Sequence, residues 1–303
     1  MTLSLDREAL ISAPNPLGQA GIEFVEYTTP RPQALGQVLE QMGFRPVARH
    51  RSREVTLYRQ GGMNVIVNAH GLPPGTDAAP QIAAIALRVR DAGAAWQRVV
   101  DLGAWPVPVK VQPMELHIPG VHGVGSSRLY FVDRWSDGAA TSTPGAARRW
   151  GAFCIYDVDF VPIPTVDPQV PATAGLHWFG IVQYVGEDRI ADWTEFYGAL
   201  FGFSALPDAQ RFGILPAGRI LAAPCGTFFL QLIEPPPDSE HGTAEQLQRV
   251  AFGVDDVPAA VRALRERGVA FVDSSSLHPD ARGALTHQMF GGTMFELVHH
   301  EAG

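Results

Sequence analysis

The chain has 303 residues, a formal net charge of −8 and 46% hydrophobic residues, enough to build the cores of about two domains. A surface with this acidic balance gives no general reason to bind nucleic acid or an anionic membrane, because either partner requires a basic face. The expected partner is therefore a small molecule, and self-association into a homo-oligomer stays open.

The two cysteines and the N-terminal residues indicate which cellular compartment to expect. Cys154 and Cys225 show no C-x-x-C spacing, and a disulfide framework would need more cysteines. The start, M-T-L-S-L-D-R-E-A-L, lacks a basic stretch followed by a long apolar run, and no run approaches 18 apolar residues. We therefore expect a cytoplasmic protein without a membrane span.

Glycine and proline together make 56 residues (31 + 25), which favours many turns and short strands. The first predicted unit has the order β-α-β-β-β, with a strand at 21–27, a helix at 33–42 and strands at 45–49, 54–59 and 64–68. The second repeats it, with a strand at 82–89, a helix at 94–102 and strands near 107–111, 115–118 and 129–132.

A linker of small and polar residues at 136–149 separates the two halves, and a predicted strand at 153–161 leads into the second half. The third unit begins with a strand at 175–182, followed by a helix at 190–200 and a last strand at 227–233. The fourth begins with the alternating residues Val250, Phe252 and Val254, followed by a helix at 257–267 and a last strand at 293–299.

The helix exits are the strongest sign of repetition. They read M-G-F at 42–44, L-G-A at 102–104, F-G-F at 201–203 and R-G-V at 267–269. Four such matches in register indicate internal duplication. A single βαβββ unit leaves its sheet edges open, whereas a pair of units closes a half-barrel around a concave cup. We predict an α+β fold of four βαβββ modules paired into two open-barrel domains, 1–160 and 161–303. The alternative is an ordinary α+β protein without repeats.

The cup of the second half contains the candidate functional side chains. Inward-facing positions of first and last strands are His177, Gln231, Arg249 and Glu296. A histidine and a carboxylate on one face suit Fe(II) or a similar ion, although a lone strand histidine is more often a core residue. Glu296 lies between two apolar residues and must be paired, coordinated or outward-facing. The matching first-half positions offer no histidine, so we expect that domain to be structural.

Other polar residues near the fourth unit could also reach this cavity. His241 and His287 are candidate ligands, and Gln288 could donate a hydrogen bond to a carboxylate or carbonyl group. We expect solvated side chains in loops or at strand ends for the histidines His117, His122, His278, His299 and His300.

Several long segments resemble the 4-hydroxyphenylpyruvate dioxygenase family of the vicinal oxygen chelate superfamily. They are F-V-E-Y-T-T-P (24–30), M-G-F-R-P-V-A-R-H-R-S-R-E-V-T-L-Y-R-Q-G (42–61), N-V-I-V-N (64–68), P-M-E-L-H-I-P (113–119), L-Y-F-V-D-R (129–134) and I-Y-D-V-D-F-V (155–161). The resemblance implies paired βαβββ modules and Fe(II) held in the C-terminal domain by two histidines and a glutamate. It identifies His177 as similar to the first ligand, and Glu296 as matching the glutamate.

The resemblance breaks down at the second histidine. The family pattern Q-H-V-A-F is Q-R-V-A-F here, with Arg249 in place of the ligand. A guanidinium stays protonated and has no lone pair for a metal. Gln288 in H-Q-M-F resembles a substrate-contacting glutamine, whereas a substrate-facing asparagine and a serine of the family become Ile233 and Ala222.

Three arrangements are open. A metal, with Fe(II) favoured over Mn, Co or Zn, is held by His177, Glu296 and a substitute such as Gln231, His241 or His287. Alternatively, no metal binds and Arg249 pairs with Glu296. In the third arrangement, Arg249 binds a substrate carboxylate bidentately and a metal lies elsewhere.

The leading functional hypothesis is a divergent, dioxygenase-like metalloenzyme. It would act on a small oxo acid or carboxylate other than 4-hydroxyphenylpyruvate, with Arg249, Gln288 and Gln231 as substrate-binding candidates. The alternatives are a metal-dependent lyase or isomerase of the same superfamily, and a metal-free small-molecule-binding protein.

Overall fold

The computed structural model describes residues 14–70, 78–108, 115–135, 154–207, 210, 212–214, 218–234 and 244–301. The predicted linker at 136–149 and the candidate ligand His241 lie outside these residues. Within the described ranges, no helix combines the length and the apolar composition needed to cross a membrane.

The first half contains two modules. The first consists of β1 (Gly21–Thr28), α1 (Pro32–Gln41), β2 (Arg45–His50), β3 (Val55–Gln60) and β4 (Met63–Asn68). The second consists of β5 (Gln81–Arg88), α2 (Ala92–Asp101), β6 (Gly120–His122) and β7 (Arg128–Val132). A short helical turn, α3 (Tyr156–Asp159), and β8 (Phe160–Pro162) follow.

The second half repeats this order. Its first module consists of β9 (His177–Tyr184), α4 (Ile190–Phe201), β10 (Ser204–Ala205), β11 (Arg219–Ala222) and β12 (Phe229–Ile233). Its second consists of β13 (Gln246–Val254), α5 (Val257–Glu266), β14 (Gly283–Leu285) and β15 (Phe295–His299). In the second module of each half, an isolated bridge replaces the strand after the helix, Pro106 with Val121 and Phe271 with Thr286.

Strand pairing repeats in the same way. The first and last strands of each module run parallel, in the pairs β1–β4, β5–β7, β9–β12 and β13–β15. The two first strands within a half pair antiparallel, β1 with β5 and β9 with β13. The halves join where Leu247 of β13 pairs with Ile82 of β5. The prediction of an α+β fold with paired modules and open barrels is confirmed.

Local signals in the sequence set the helix boundaries. Asp91 and Asp256 accept hydrogen bonds from the backbone N–H groups of Ala94 and Ala259, both at 2.8 Å, and so cap α2 and α5. The glycine that follows each of the four long helices has a positive φ, which only glycine adopts at low cost. These φ values are 103° at Gly43, 105° at Gly103, 78° at Gly202 and 89° at Gly268.

The helices and one sheet face enclose a core that both halves share. Val250, Phe252 and Val254 are buried in it, as their alternation predicts. Phe131 of β7 stacks on Phe201 of α4, with ring centroids 6.1 Å apart. Arg98 of the first half also donates to the carbonyl oxygen of Leu200 at 2.7 Å. The two halves are therefore packed against each other through side chains from helices and strands.

The two concave faces differ in how they are filled. In the first half, ten buried apolar residues pack inside the cup, among them Phe24, Leu57, Ile66 and Tyr156. Among the described residues of the second half, the corresponding cluster consists of Phe179, Ala251 and Val298, with the partly buried Phe212 and Phe229 against it. The described part of the second cup is therefore less filled than the first.

Two predicted strands are wrong. Residues 115–118 form no strand, because the backbone N–H of Leu116 points to the carboxylate of Asp159, 3.1 Å from Oδ2. Residues 153–161 contain the helical turn α3 and only then β8. Asp157 accepts a hydrogen bond from the backbone N–H of Cys154 at 2.9 Å, which favours a turn over an extended chain.

β8 straddles the predicted boundary between residues 160 and 161. It pairs with β2 of the first half, and the N–H of Gly61 donates to the carbonyl oxygen of Val170 at 2.7 Å. The chain thus follows the first half for some ten residues past the boundary. The division into 1–160 and 161–303 stays a prediction.

Candidate functional site

The open cup of the second half contains a cavity that is open to solvent. The space between its walls is about 330 Å³ with open solvent included, and the centre of a water molecule can occupy about 20 Å³ of it. Its walls come from β9, β11, β12, β13 and β15. They are mostly apolar, with three phenylalanine rings and two polar side chains, Gln231 and Glu296. The lining residues are Phe179, Gly180, Ile181, Val182, Phe212, Ile220, Phe229, Gln231, Ala251, Glu296 and Val298.

Two bulges decide which side chains face the cup. Ala251 pairs with Gly180 and Phe252 with Trp178, so Phe179 is an extra residue in β9. Leu247 pairs with Gln183 and Arg249 with Val182, so Gln248 is an extra residue in β13. A bulge reverses the face on which the following side chains lie. As a result Phe179 lines the cavity, whereas Leu247 and Val250 are both buried in the shared core.

Arg249 and Glu296 form a buried ion pair at one side of the cavity. Nε of Arg249 lies 3.1 Å from Oε2 of Glu296, and only 5% and 4% of the two side chains are exposed. Nη1 of Arg249 donates to Oε1 of Gln248 at 2.7 Å. Nη2 is buried, and neither of its two N–H groups has a hydrogen-bond partner among the described residues. The guanidinium therefore offsets the charge of Glu296 and retains an unpaired Nη2 group.

The chain at 212–214 covers this ion pair. The backbone of Gly213 passes so close to Glu296 that a Cβ at this position would lie 2.6 Å from Oε1. Phe212, next to it, packs against Phe179 and Phe229 with ring centroids 5.2 and 4.8 Å apart. Burial raises the pKa of the Glu296 carboxyl, and the adjacent Arg249 guanidinium only partly opposes this effect.

This raised pKa predicts how Glu296 contributes to stability as pH changes. Because the pKa is higher in the folded than in the unfolded chain, the contribution is full below the usual value of 4.5 and is lost as pH rises through the folded-state pKa. Glu296→Gln removes this dependence. Urea unfolding from about pH 4 to about pH 8 should therefore show wild type losing stability relative to Glu296→Gln. A pH-independent difference would contradict the assignment.

His177 lies at the start of β9, and a second histidine faces it. Its Nε2 is 3.1 Å from Nδ1 of His300, and its Nδ1 is 3.1 Å from the carbonyl oxygen of Gly175. Since a carbonyl only accepts, Nδ1 of His177 carries the proton and Nε2 has a free lone pair in the neutral ring. The pKa of His300 is lowered, first by burial and then by the neighbouring His177.

The structure brings only some of the predicted site residues together. Arg249, Glu296 and Gln231 lie in or beside the cup. His177 pairs in the sheet with Gly253, four residues along β13 from Arg249. His287 and Gln288 are exposed and line a separate groove against α1, together with Gln37 and Gln41. His287 and Gln288 therefore do not line the cup cavity.

Sequence reasoning overlooked His300, which it placed among the solvated surface histidines. The ring is half-buried and lies 5.2 Å from that of Phe179. A period of two was the available signal, because 296, 298 and 300 fall on one face of an extended chain. Glu296 and Val298 both line the cavity, so this spacing directs His300 toward the same side.

The residues in the cup do not fit the Fe(II) site that the resemblance implies. The cation that pairs with Glu296 is the guanidinium of Arg249, which cannot ligate a metal. Among the residues described, no three or more His, Cys, Asp or Glu side chains form a group that could hold a metal ion. No step of a reaction is therefore routed through iron at this position.

Paired modules, parallel first and last strands and a single open cup define a protein of the vicinal oxygen chelate class. Residues 13–161 match the family model described as hydroxyphenylpyruvate dioxygenase, N-terminal. Residues 177–292 match the glyoxalase/bleomycin resistance protein/dioxygenase superfamily. The first match covers the first half of the fold, and the second match lies in the second half.

Similar proteins carry different names. 4-Hydroxyphenylpyruvate dioxygenase of Pseudomonas sp. (strain P.J. 874) is 33% identical over 276 residues, which cover 85% of this chain and 72% of that protein. Hemolysin VllY of Vibrio vulnificus is 32% identical over 289 residues, covering 89% and 77%. A mutant of 4-hydroxymandelate synthase from Streptomyces coelicolor shares the fold, with a TM-score of 0.70 and 19% identity over 94% of both chains. The chain belongs to the 4-hydroxyphenylpyruvate dioxygenase-like family.

Proposed function

We propose that this chain is a divergent member of its family that binds a small carboxylate-bearing molecule, with 2-oxo acids as the favoured class. Arg249 anchors the ligand carboxylate at the cup of the second half. The observation that carries the proposal is the Nη2 group of Arg249, a buried donor of a charged side chain that has no partner within the described part of the chain. Such a group is costly unless something accepts its hydrogen bond.

The surroundings of Arg249 fit an anion site. Val182 and Glu296, the sheet neighbour and the ion-pair partner of Arg249, both line the cavity, so the guanidinium lies next to the cavity wall, although Arg249 itself does not line it. A planar guanidinium binds a carboxylate through two parallel hydrogen bonds. Because the pKa of Glu296 is raised, this carboxyl takes up a proton as a second carboxylate approaches Arg249. Ligand binding is therefore coupled to proton uptake.

The walls of the cup select the rest of the ligand. Phe179, Phe212 and Phe229 provide apolar and aromatic surface, and Gln231 is a polar side chain among them. The space inside the cup that a water molecule can occupy is about 20 Å³, well below the roughly 300–1,000 Å³ of ligand sites, so the walls must move apart to admit an acid. The side chains that line the cup favour a compact acid with one apolar or aromatic group.

Calorimetry of 2-oxo acids and of their uncharged amides tests this function. Wild type should bind the acids but not the amides, and Arg249→Met should weaken acid binding at least tenfold, about 1.4 kcal/mol. Arg249→Met/Glu296→Leu gives the same test without leaving a buried charge unpaired. Titration in buffers of different ionisation enthalpy should reveal proton uptake by wild type.

A matched control exists in the other half. Arg88 and Glu23 form an ion pair in the first half, with Nε and Oε2 2.6 Å apart and with 18% and 1% of the side chains exposed. Arg88→Met should leave acid binding unchanged. Equal affinity of the acids for wild type and for both Arg249 variants would refute the proposal.

A second candidate function is a metal-dependent enzyme, either dioxygenase-like or a lyase or isomerase of the same superfamily. The observation that favours it is the ring of His177, whose Nδ1–H is held by the carbonyl of Gly175 while the lone pair of Nε2 faces Nδ1 of His300 at 3.1 Å. Metal-binding histidines are oriented in this way. The test is oxygen uptake, or conversion of 2-oxo acids, by protein loaded with Fe(II), Mn, Co or Zn. No turnover with any of these metals would exclude this candidate.

A further inference from the structure

We propose that His177 and His300 form a binding site for a divalent transition-metal ion, in a place different from the iron site of the family. The site goes beyond the carboxylate anchor at Arg249 and does not depend on it. The two imidazoles come from β9 and from the residue after β15, which are 123 positions apart in the chain.

The distance between the two nitrogens fits shared coordination. Nε2 of His177 lies 3.1 Å from Nδ1 of His300. With metal–nitrogen bonds of about 2.0–2.1 Å, two ligands at right or tetrahedral angles are about 2.9–3.4 Å apart. The same two atoms can therefore hold a hydrogen bond without metal and a metal ion without rearrangement of the backbone.

The ring of His177 is already oriented for this role. Its hydrogen bond to the carbonyl of Gly175 keeps the proton on Nδ1 and directs the lone pair of Nε2 toward His300. Gly253 lies directly beneath, where a Cβ would be 2.3 Å from Nε2. The absence of a side chain at Gly253 thus makes room for the imidazole over the neighbouring strand.

His300 is held by aromatic neighbours. Its ring lies 5.2 Å from that of Phe179 and 6.0 Å from that of Phe229, in edge-on arrangements. Both phenylalanines also line the cup cavity, so the histidine pair adjoins the end of the cavity. An apolar shell restricts the movement of a ligand and lowers the local dielectric constant.

The site shares His177 with the ligand set that the resemblance implies, but it lies elsewhere and uses His300 in place of Glu296. Arg249 precedes Gly253 by four residues, and Glu296 precedes His300 by four residues. Four residues span about 13 Å along an extended strand. No group of three candidate ligand side chains occurs in the described part of the chain, so water completes the coordination. Two neutral imidazoles suit zinc, copper, nickel or cobalt rather than magnesium or calcium.

Zinc titration of the untagged, metal-depleted chain tests the site without any carboxylate ligand. Calorimetry should show one Zn²⁺ per chain, and Co²⁺ should give an absorption spectrum typical of nitrogen ligation. His177→Asn and His300→Asn should each weaken Zn²⁺ binding at least tenfold. His299→Asn is the matched control, since that ring is exposed and its Nδ1 hydrogen-bonds to the carbonyl oxygen of Asp255. Its zinc affinity should equal that of wild type.

Glu296→Gln separates this site from the family site. Unchanged zinc binding in this variant, together with loss in His300→Asn, supports the proposal. Loss in Glu296→Gln with binding retained in His300→Asn would place the metal at the family position and overturn it, as would the absence of stoichiometric binding. If His177→Asn fails to fold, the zinc affinity of His300→Asn tests the proposal by itself, because His300 lies at the end of a strand. Loss of acid binding in Arg249→Met with intact zinc binding would show that the two sites are independent.

Discussion

Arg249→Met is expected to lower the free energy of unfolding by about 3–5 kcal/mol, because it leaves the buried Glu296 carboxylate without its cation. Both side chains are almost fully buried and no second cation pairs with Glu296 in the described residues. Chemical unfolding in urea at neutral pH measures the change. Part of the loss should be recovered at low pH, where Glu296 takes up a proton.

The double variant Arg249→Met/Glu296→Leu provides the control. Replacing a whole buried ion pair by apolar side chains of similar size is often neutral or stabilising. We therefore expect the double variant to be clearly more stable than Arg249→Met. If the single variant is as stable as wild type, the ion pair does not hold a charged carboxylate and our description of the cup is wrong.

Phe252→Ala is expected to lower the free energy of unfolding by about 3–5 kcal/mol through loss of buried surface and creation of a cavity. The ring lies 6.0 Å from Phe44 of the first half, and 5.8 and 5.6 Å from Trp178 and Phe295 of the second half. Because it touches both halves, its loss should weaken both in one cooperative transition. Urea unfolding followed by tryptophan fluorescence and by circular dichroism measures this.

Phe229→Ala is the matched control for Phe252→Ala. Its ring packs against Phe179 and Phe212, at 4.9 and 4.8 Å, but it is only partly buried in the sparsely filled cup. The stability loss should be smaller than for Phe252→Ala. Two separate unfolding transitions in Phe252→Ala would show that the halves do not share one cooperative core.

The presence of Arg249 where the family pattern has a histidine explains why a buried Glu296 is tolerated in the cup. A buried carboxylate needs a compensating positive charge, which the iron supplies in the family that the sequence resembles. Here a guanidinium supplies it at 3.1 Å. The first half uses the same chemistry in Arg88 and Glu23. A side chain can therefore take over the electrostatic role of a metal, but not its role as a Lewis acid.

The sequence by itself determined the repeated architecture and the identity of the key substitution. Helix exits such as M-G-F, the capping residues Asp91 and Asp256, and the alternation in β13 are local signals, because a helix end or a strand face depends on few neighbouring residues. The pattern Q-R-V-A-F likewise marks Arg249 as a residue that cannot replace a histidine ligand, since a guanidinium has no lone pair for a metal in any fold.

Only the tertiary structure decided which of the candidate side chains meet. Arg249 and Glu296 are 47 positions apart, and His177 and His300 are 123 positions apart. The bulges at Phe179 and Gln248 change which face the side chains occupy, and a period of two does not encode where a bulge falls. His287 and Gln288 line a different groove because a loop runs there rather than a strand facing the cup. Contacts of this kind depend on the register between distant strands, which local sequence does not specify.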